Sequence, residues 1–149
     1  MKLETVKTIV LAFTLVAGGV APFTAKAIQV SGTLGTSLVS VDAYAFTCPS
    51  GTVQVRARVF DLNTVLNSAA TVYATFGKDS VPTLTVFDTE STSTSSPWAT
   101  NTADGSGNYV LVVRKSAANP EDYIIEAQCL NSSLVTAIGP PKLVLQINQ

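Results

Sequence analysis

The sequence predicts an all-β protein: a jelly-roll or immunoglobulin-like antiparallel β-sandwich of about seven or eight strands, following a cleaved N-terminal signal peptide. Three observations lead there. Beyond residue 27 the apolar residues alternate with polar ones rather than recurring at a helical period. The apolar runs are rich in Val, Thr, Tyr and Phe, side chains that suit a pleated, half-buried surface. Turn-forming clusters separate these runs at short intervals, the spacing of a sandwich or jelly roll.

Residues 1–27 read as the leader. Lys2 and Lys7 give a basic start, the uncharged run Ile9 to Ala21 contains Val10, Leu11, Phe13, Leu15 and Val16, and Ala25-Lys26-Ala27 has the small-x-small form of a cleavage site. A membrane anchor is the alternative, but a spanning helix needs about 20 apolar residues. Gly18, Gly19 and Pro22 interrupt this run before that. After cleavage no integral membrane segment is expected. Residues 28–149 then form one domain of 122 residues, long enough to bury a core without metals or several disulfides. Removal of Lys2, Lys7, Lys26 and Glu4 leaves six basic and nine acidic residues and a net charge of −3. That balance gives no electrostatic reason to expect nucleic acid or an anionic membrane as partner.

Val41 to Cys48 sets Tyr44, Phe46 and Cys48 on one face of the first expected strand. In Thr52 to Phe60, Val53, Val55, Ala57 and Val59 share a face while Gln54, Arg56 and Arg58 take the other, a strand with a wet side. Asp61 to Ala70 offers a cap at Asp61 and a shared face for Leu62, Val65 and Leu66; it reads as a loop or a single helical turn. Strands follow at Thr71 to Phe76 and Thr83 to Phe87. Thr89 to Ser96, dominated by Ser and Thr, has no apolar face to bury and reads as an exposed loop. Asp104-Gly105-Ser106-Gly107 reads as a hairpin turn, feeding a strand over Tyr109 to Arg114 that is apolar on both faces, as near the centre of a sandwich. Asp122 to Cys129 groups Tyr123, Ile125, Ala127 and Cys129 opposite Glu126 and Gln128. Leu143 to Ile147 serves either as the last strand of its own sheet or as a strand lent to a neighbour.

Cys48 and Cys129 are the only cysteines, both lie after the leader, and both fall on inward positions of their strands. In an exported chain this pattern predicts one disulfide, Cys48 to Cys129, joining two strands across or within the sandwich; two separate buried thiols are the alternative.

The residue inventory argues against an enzyme. Histidine is absent, which removes the commonest general base, the usual partner of a nucleophilic serine and the commonest zinc ligand. Paired cysteines remove thiol catalysis and thiolate metal sites. Carboxylate chemistry remains, but Asp42, Asp61, Asp79, Asp88, Glu90, Asp104, Glu121, Asp122 and Glu126 sit singly at strand ends and turns, where acids ordinarily serve solubility and turn formation. A glycosidase needs two of them held across a sugar. No catalytic residue, no metal site and no cofactor is therefore expected. The loop Asp104 to Asn108 offers only two strong oxygen ligands, short of an EF-hand-type calcium loop. Asn131-Ser132-Ser133 fits the short N-glycosylation acceptor pattern.

Binding candidates are few. Trp98, the single tryptophan, follows the Ser/Thr-rich loop, where an exposed ring could stack on a sugar or anchor a partner; the other reading is that it closes one end of the core. Tyr73 and the outward Arg56 and Arg58 complete the set.

Four short stretches resemble the bacterial pre-peptidase C-terminal (PPC) domain, a jelly-roll-like sandwich related to the collagen-binding domains of secreted collagenases. Val41 to Gly51 (VDAYAFTCPSG) is similar to that family's aromatic-rich strand and Pro-x-Gly turn, and Pro82 to Asp88 (PTLTVFD) to its strand ending in Tyr/Phe-Asp. Gly107 to Val113 (GNYVLVV) and Asp122 to Ile125 (DYII) look like its Gly-x-Tyr strand and the Tyr-led strand after it. The resemblance spans Val39 to Asn131 and implies an accessory module of the kind appended to secreted enzymes for export or attachment to insoluble substrates. Collagen-binding relatives hold calcium through acids near the domain's start; Ile28 to Ser40 contains none, so that site is not carried over.

Taken together, these features lead to the expectation of a secreted or periplasmic, non-catalytic binding or accessory module whose partner is an extracellular or envelope protein or polysaccharide. A structural subunit of a surface layer, fibre or envelope assembly, with self-assembly, is the alternative. A carboxylate-based hydrolase is the third reading.

Overall fold

A computed structural model describes residues 27–62, 70–79, 83–89, 95–134 and 142–148. Residues 1–26 of the leader, residues 63–69 of the expected helical turn and residues 90–94 of the Ser/Thr-rich loop lie outside the described residues.

The described residues form nine strands and no helix: β1 (Ile28–Leu34), β2 (Asp42–Cys48), β3 (Gln54–Asp61), β4 (Val72–Lys78), β5 (Leu84–Asp88), β6 (Ala99–Asn101), β7 (Gly107–Lys115), β8 (Glu121–Leu130) and β9 (Lys142–Asn148). They make two antiparallel sheets, one ordered β1-β8-β3-β6 and the other β5-β4-β7-β2-β9. The fold class is thus the all-β antiparallel sandwich the alternation predicts. The two extra strands are β1 and β6. In β1 the inward positions run Ile28, Val30, Gly32, Leu34, so a glycine interrupts the apolar pattern. At three residues, β6 is too short to show a period.

Successive strands change sheet at every step except β4 to β5, the single sequential pair within a sheet. Each sheet is therefore held by pairings distant in sequence, and the turns run from one layer to the other. This corrects the reading of Asp104 to Gly107 as a hairpin turn. It links β6 in the four-stranded sheet to β7 in the five-stranded sheet, and its shape comes from Asn101. The Asn101 Oδ1 accepts from the backbone N of Ala103 (2.9 Å) and of Asp104 (3.2 Å), and its Nδ2 donates to Asp104 Oδ2 at 2.7 Å. This is a side-chain-built turn that asparagine can make and most residues cannot. Gly105 sits in the left-handed region at φ 60° and passes so close to Thr52 that a Cβ there would lie 2.9 Å from its carbonyl oxygen.

The core lies between the sheets. Tyr44 and Phe46 of β2, Val55, Ala57 and Val59 of β3, Val72, Ala74 and Phe76 of β4, Tyr109, Leu111 and Val113 of β7, and Tyr123, Ile125 and Ala127 of β8 are all buried, each on the alternating face that period-two geometry assigns it. Phe46 and Tyr109 stack with ring centroids 5.6 Å apart. Val110 and Val112, on the outer face of β7, are half-buried, so that central strand is apolar on both sides.

Cys48 and Cys129 are joined, with Cα atoms 5.7 Å apart, and the bond ties β2 in one sheet to β8 in the other. Closing a loop of 81 residues' separation contributes roughly 4 to 5 kcal/mol in the chain-entropy description. The C-terminal strand β9 pairs antiparallel with β2 of its own chain.

Candidate functional site

Three of the four residues singled out from sequence come together. Arg56 and Arg58 project from the outer face of β3, and the register pairs Arg56 with Thr100 and Ala57 with Ala99, which sets Trp98 beside Arg58 just ahead of β6. Both guanidinium carbons stand 4.5 Å from the centroid of the Trp98 ring. A cation placed so over an indole is held by the ring's negative face. Trp98 is half-buried and lies outside the core cluster, so the core-closing alternative is not the one the chain adopts.

Neighbouring side chains fix the two arginines. Arg58 Nε donates to Glu126 Oε2 at 2.6 Å and its Nη1 to Ser95 Oγ at 2.9 Å; the guanidinium also lies 4.8 Å from the Phe60 ring. Arg56 Nε donates to Gln128 Oε1 at 2.9 Å, a neutral partner. Glu126 offsets one of the two charges, which leaves the cluster with one positive charge in excess. Chemically this is a rigid cationic and aromatic surface, suited to an anionic group set against a planar or apolar one. Register explains it: Arg58 faces Glu126 and Arg56 faces Gln128 across the β3–β8 ladder.

Tyr73 does not join them. It lies on the outer face of the opposite sheet, with Phe87 at 6.1 Å between centroids and the Arg114 guanidinium 5.3 Å from its ring.

Sequence reasoning missed a second gathering, at the end of the sandwich away from the disulfide. Asp42 opens β2, Asp61 closes β3, Asp88 closes β5 and Glu121 opens β8, and each is at most 6% exposed. Lys115, the last residue of β7, is buried with them. The expectation of solitary surface acids is therefore wrong for these four. Strand ends do hold them, but on inward positions. The signal was present: extending the inward parity of Tyr44 and Phe46 back by one step reaches Asp42. The same step from Val59 reaches Asp61, from Tyr123 reaches Glu121 and from Val86 reaches Asp88.

Their hydrogen bonds are structural in kind. The Asp61 backbone N donates to Asp88 Oδ2 at 3.0 Å. Tyr123 Oη donates to Asp42 Oδ2 at 2.5 Å; a phenol has one hydrogen, so the Tyr44 hydroxyl is the donor in its contact with Tyr123. Burial, and then the hydrogen bonds to Asp42 and Tyr44, push the Tyr123 phenol well above its ordinary range, and burial raises Tyr44. Lys115 Nζ donates to the carbonyls of Gly35 and Asn119. Burial lowers its pKa, partly countered by Glu121. Glu121 is pushed up to about 7 by burial first and by the nearby Asp61 charge second, with Lys115 pulling the other way. Among the described residues no three of His, Cys, Asp and Glu are grouped so as to hold a metal ion.

No family model, curated protein or solved structure matches this chain.

Proposed function

We propose that the protein is an exported, non-catalytic binding module of the periplasm or cell exterior, similar in role to PPC-type accessory domains, and that it contacts its partner through the outer face of the four-stranded sheet around Trp98, Arg56 and Arg58. The observation that carries this reading is the convergence of both arginines on one tryptophan, with a positive charge in excess on an otherwise acidic domain. Such a surface suits an extracellular or envelope polysaccharide or protein bearing anionic groups. The Cys48–Cys129 bond fits an oxidising compartment. Among the described residues no helix is long and apolar enough to cross a membrane.

For a non-catalytic role the support is the sequence itself, which has no histidine and so lacks the commonest general base. The test is a pull-down of oxidised residues 28–149 against envelope fractions and extracellular polymers. We expect retention that Trp98→Ala weakens, whereas failure to retain anything overturns the reading.

A second reading, a structural subunit of a surface layer or fibre, draws on Phe87 and Leu143, which are exposed on β5 and β9, the edge strands of the larger sheet. It predicts self-association. A monodisperse monomer at high concentration in size-exclusion chromatography counts against it.

A further inference from the structure

We propose that Phe87, Tyr73 and Arg114 form a second ligand site, on the outer face of the five-stranded sheet, for a saccharide that carries a carboxylate. This deepens the binding-module reading and rests on it for the class of partner, but its residues are separate from those around Trp98.

The three side chains stand in one row across three strands. The ladders pair Tyr73 with Phe87 on one side and with Arg114 on the other, so aromatic, aromatic and guanidinium lie in line, perpendicular to the strands. Phe87 is 57% exposed and lies against Tyr73, so the two rings make one aromatic surface rather than a lone exposed side chain. Its ring tilts 46° to that of Tyr73, and Arg114 lies over Tyr73 from the far side. Beyond the row the next outward positions are small or short: Thr85, Thr75, Val112 and Ala43 in register. The result is a low floor beside an aromatic ridge, on which a pyranose ring can lie flat.

Charge selects the ligand. Arg114 is the only charged residue on the outward positions of β5, β4, β7 and β2, and among the described residues no carboxylate pairs with it. On those four strands no other charged side chain faces outward to compete for the guanidinium. A carboxylate on a sugar stacked against Tyr73 and Phe87 meets it in the two-pronged geometry that arginine favours. A neutral sugar gains only the stacking.

The test is a heteronuclear NMR titration of oxidised residues 28–149 with a short oligogalacturonate, with a neutral malto-oligosaccharide as control. We expect saturable shifts at Tyr73, Phe87 and Arg114, weaker ones with the neutral sugar, and an affinity that falls about fivefold or more in Arg114→Gln and in Phe87→Ala. Phe87 and Arg114 are both exposed, so neither variant disturbs the core. Shifts confined to Arg56, Arg58 and Trp98 overturn the second site and leave the first. Shifts confined to the Tyr73 row support the second site and show that this saccharide is not a ligand of the first. No shifts with either sugar overturn this proposal. So does concentration-dependent broadening at the row without saccharide, since a second copy then covers it.

Discussion

Tyr123 on β8 donates its phenolic hydrogen to the carboxylate of Asp42 on β2, a bond that joins the two sheets inside the core. Tyr44 donates in turn to Tyr123, so the link is a chain of three side chains, all at most 1% exposed. At the opposite end the same two strands are joined covalently through Cys48 and Cys129. The pair β2 and β8 is thus pinned twice, once by a polar chain and once by sulfur.

Removing the middle of that polar chain should be costly. Tyr123→Phe keeps the ring and deletes one hydroxyl, so Tyr44 loses its acceptor and Asp42 one of its donors in a buried setting. The expected loss is about 1–3 kcal/mol, read as a lower urea midpoint with an unchanged slope.

Gly32 on β1 passes directly over these rings. A Cβ at that position would lie 2.6 Å from Tyr123 Cζ and 2.9 Å from Tyr44 Oη, and both rings are locked by their hydrogen bonds. Gly32→Ala should therefore destabilise by about 1–3 kcal/mol through overpacking, although alanine normally suits a strand better than glycine does. The double variant with Tyr123→Phe should cost less than the sum of the two single changes, since both act on one contact.

Glu121 makes stability depend on pH. Its carboxyl is raised from 4.5 to about 7 in the folded protein, so the folded state holds this proton more tightly than the unfolded chain. The stability it contributes is complete below about pH 4.5 and is lost as pH rises through about 7. Urea midpoints should fall between about pH 5 and about pH 8. In Glu121→Gln, which cannot ionise, that component of the fall should disappear.

Reduction of Cys48–Cys129 should lower stability by as much as roughly 4 to 5 kcal/mol. Comparing urea midpoints with and without a thiol reductant reads this directly. The double Cys48→Ala, Cys129→Ala variant should match the reduced protein to within the small cost of the lost sulfur packing.

Period-two alternation made most of the fold legible. Val55, Ala57 and Val59 against Arg56 and Arg58 announced a half-buried strand, and the shared inward parity of Cys48 and Cys129 announced their bond. The missed strands are those where the pattern fails, at Gly32 in β1 and over the three residues of β6. The turn at Asp104 carried a hairpin signal, yet such a signal fixes local backbone shape and not which sheet the next strand joins. The convergence of Trp98 on Arg56 and Arg58 depended on the β3–β6 register, a long-range pairing that no local pattern encodes. The buried acids were legible and were misread, because acidic residues at strand ends were assigned to solvent without extending the parity of the strand to its last residue.

Trp98 is the only tryptophan in the chain, so the site proposed for binding carries its own fluorescent reporter. The most direct measurement is an emission titration of the oxidised protein with extracellular acidic polymers and envelope extracts. We expect a saturable change in Trp98 emission that added salt weakens and that Arg56→Ala reduces severalfold. Emission that stays unchanged while the same polymer is retained by the protein would contradict it, because the partner would then be bound somewhere other than the Trp98 face.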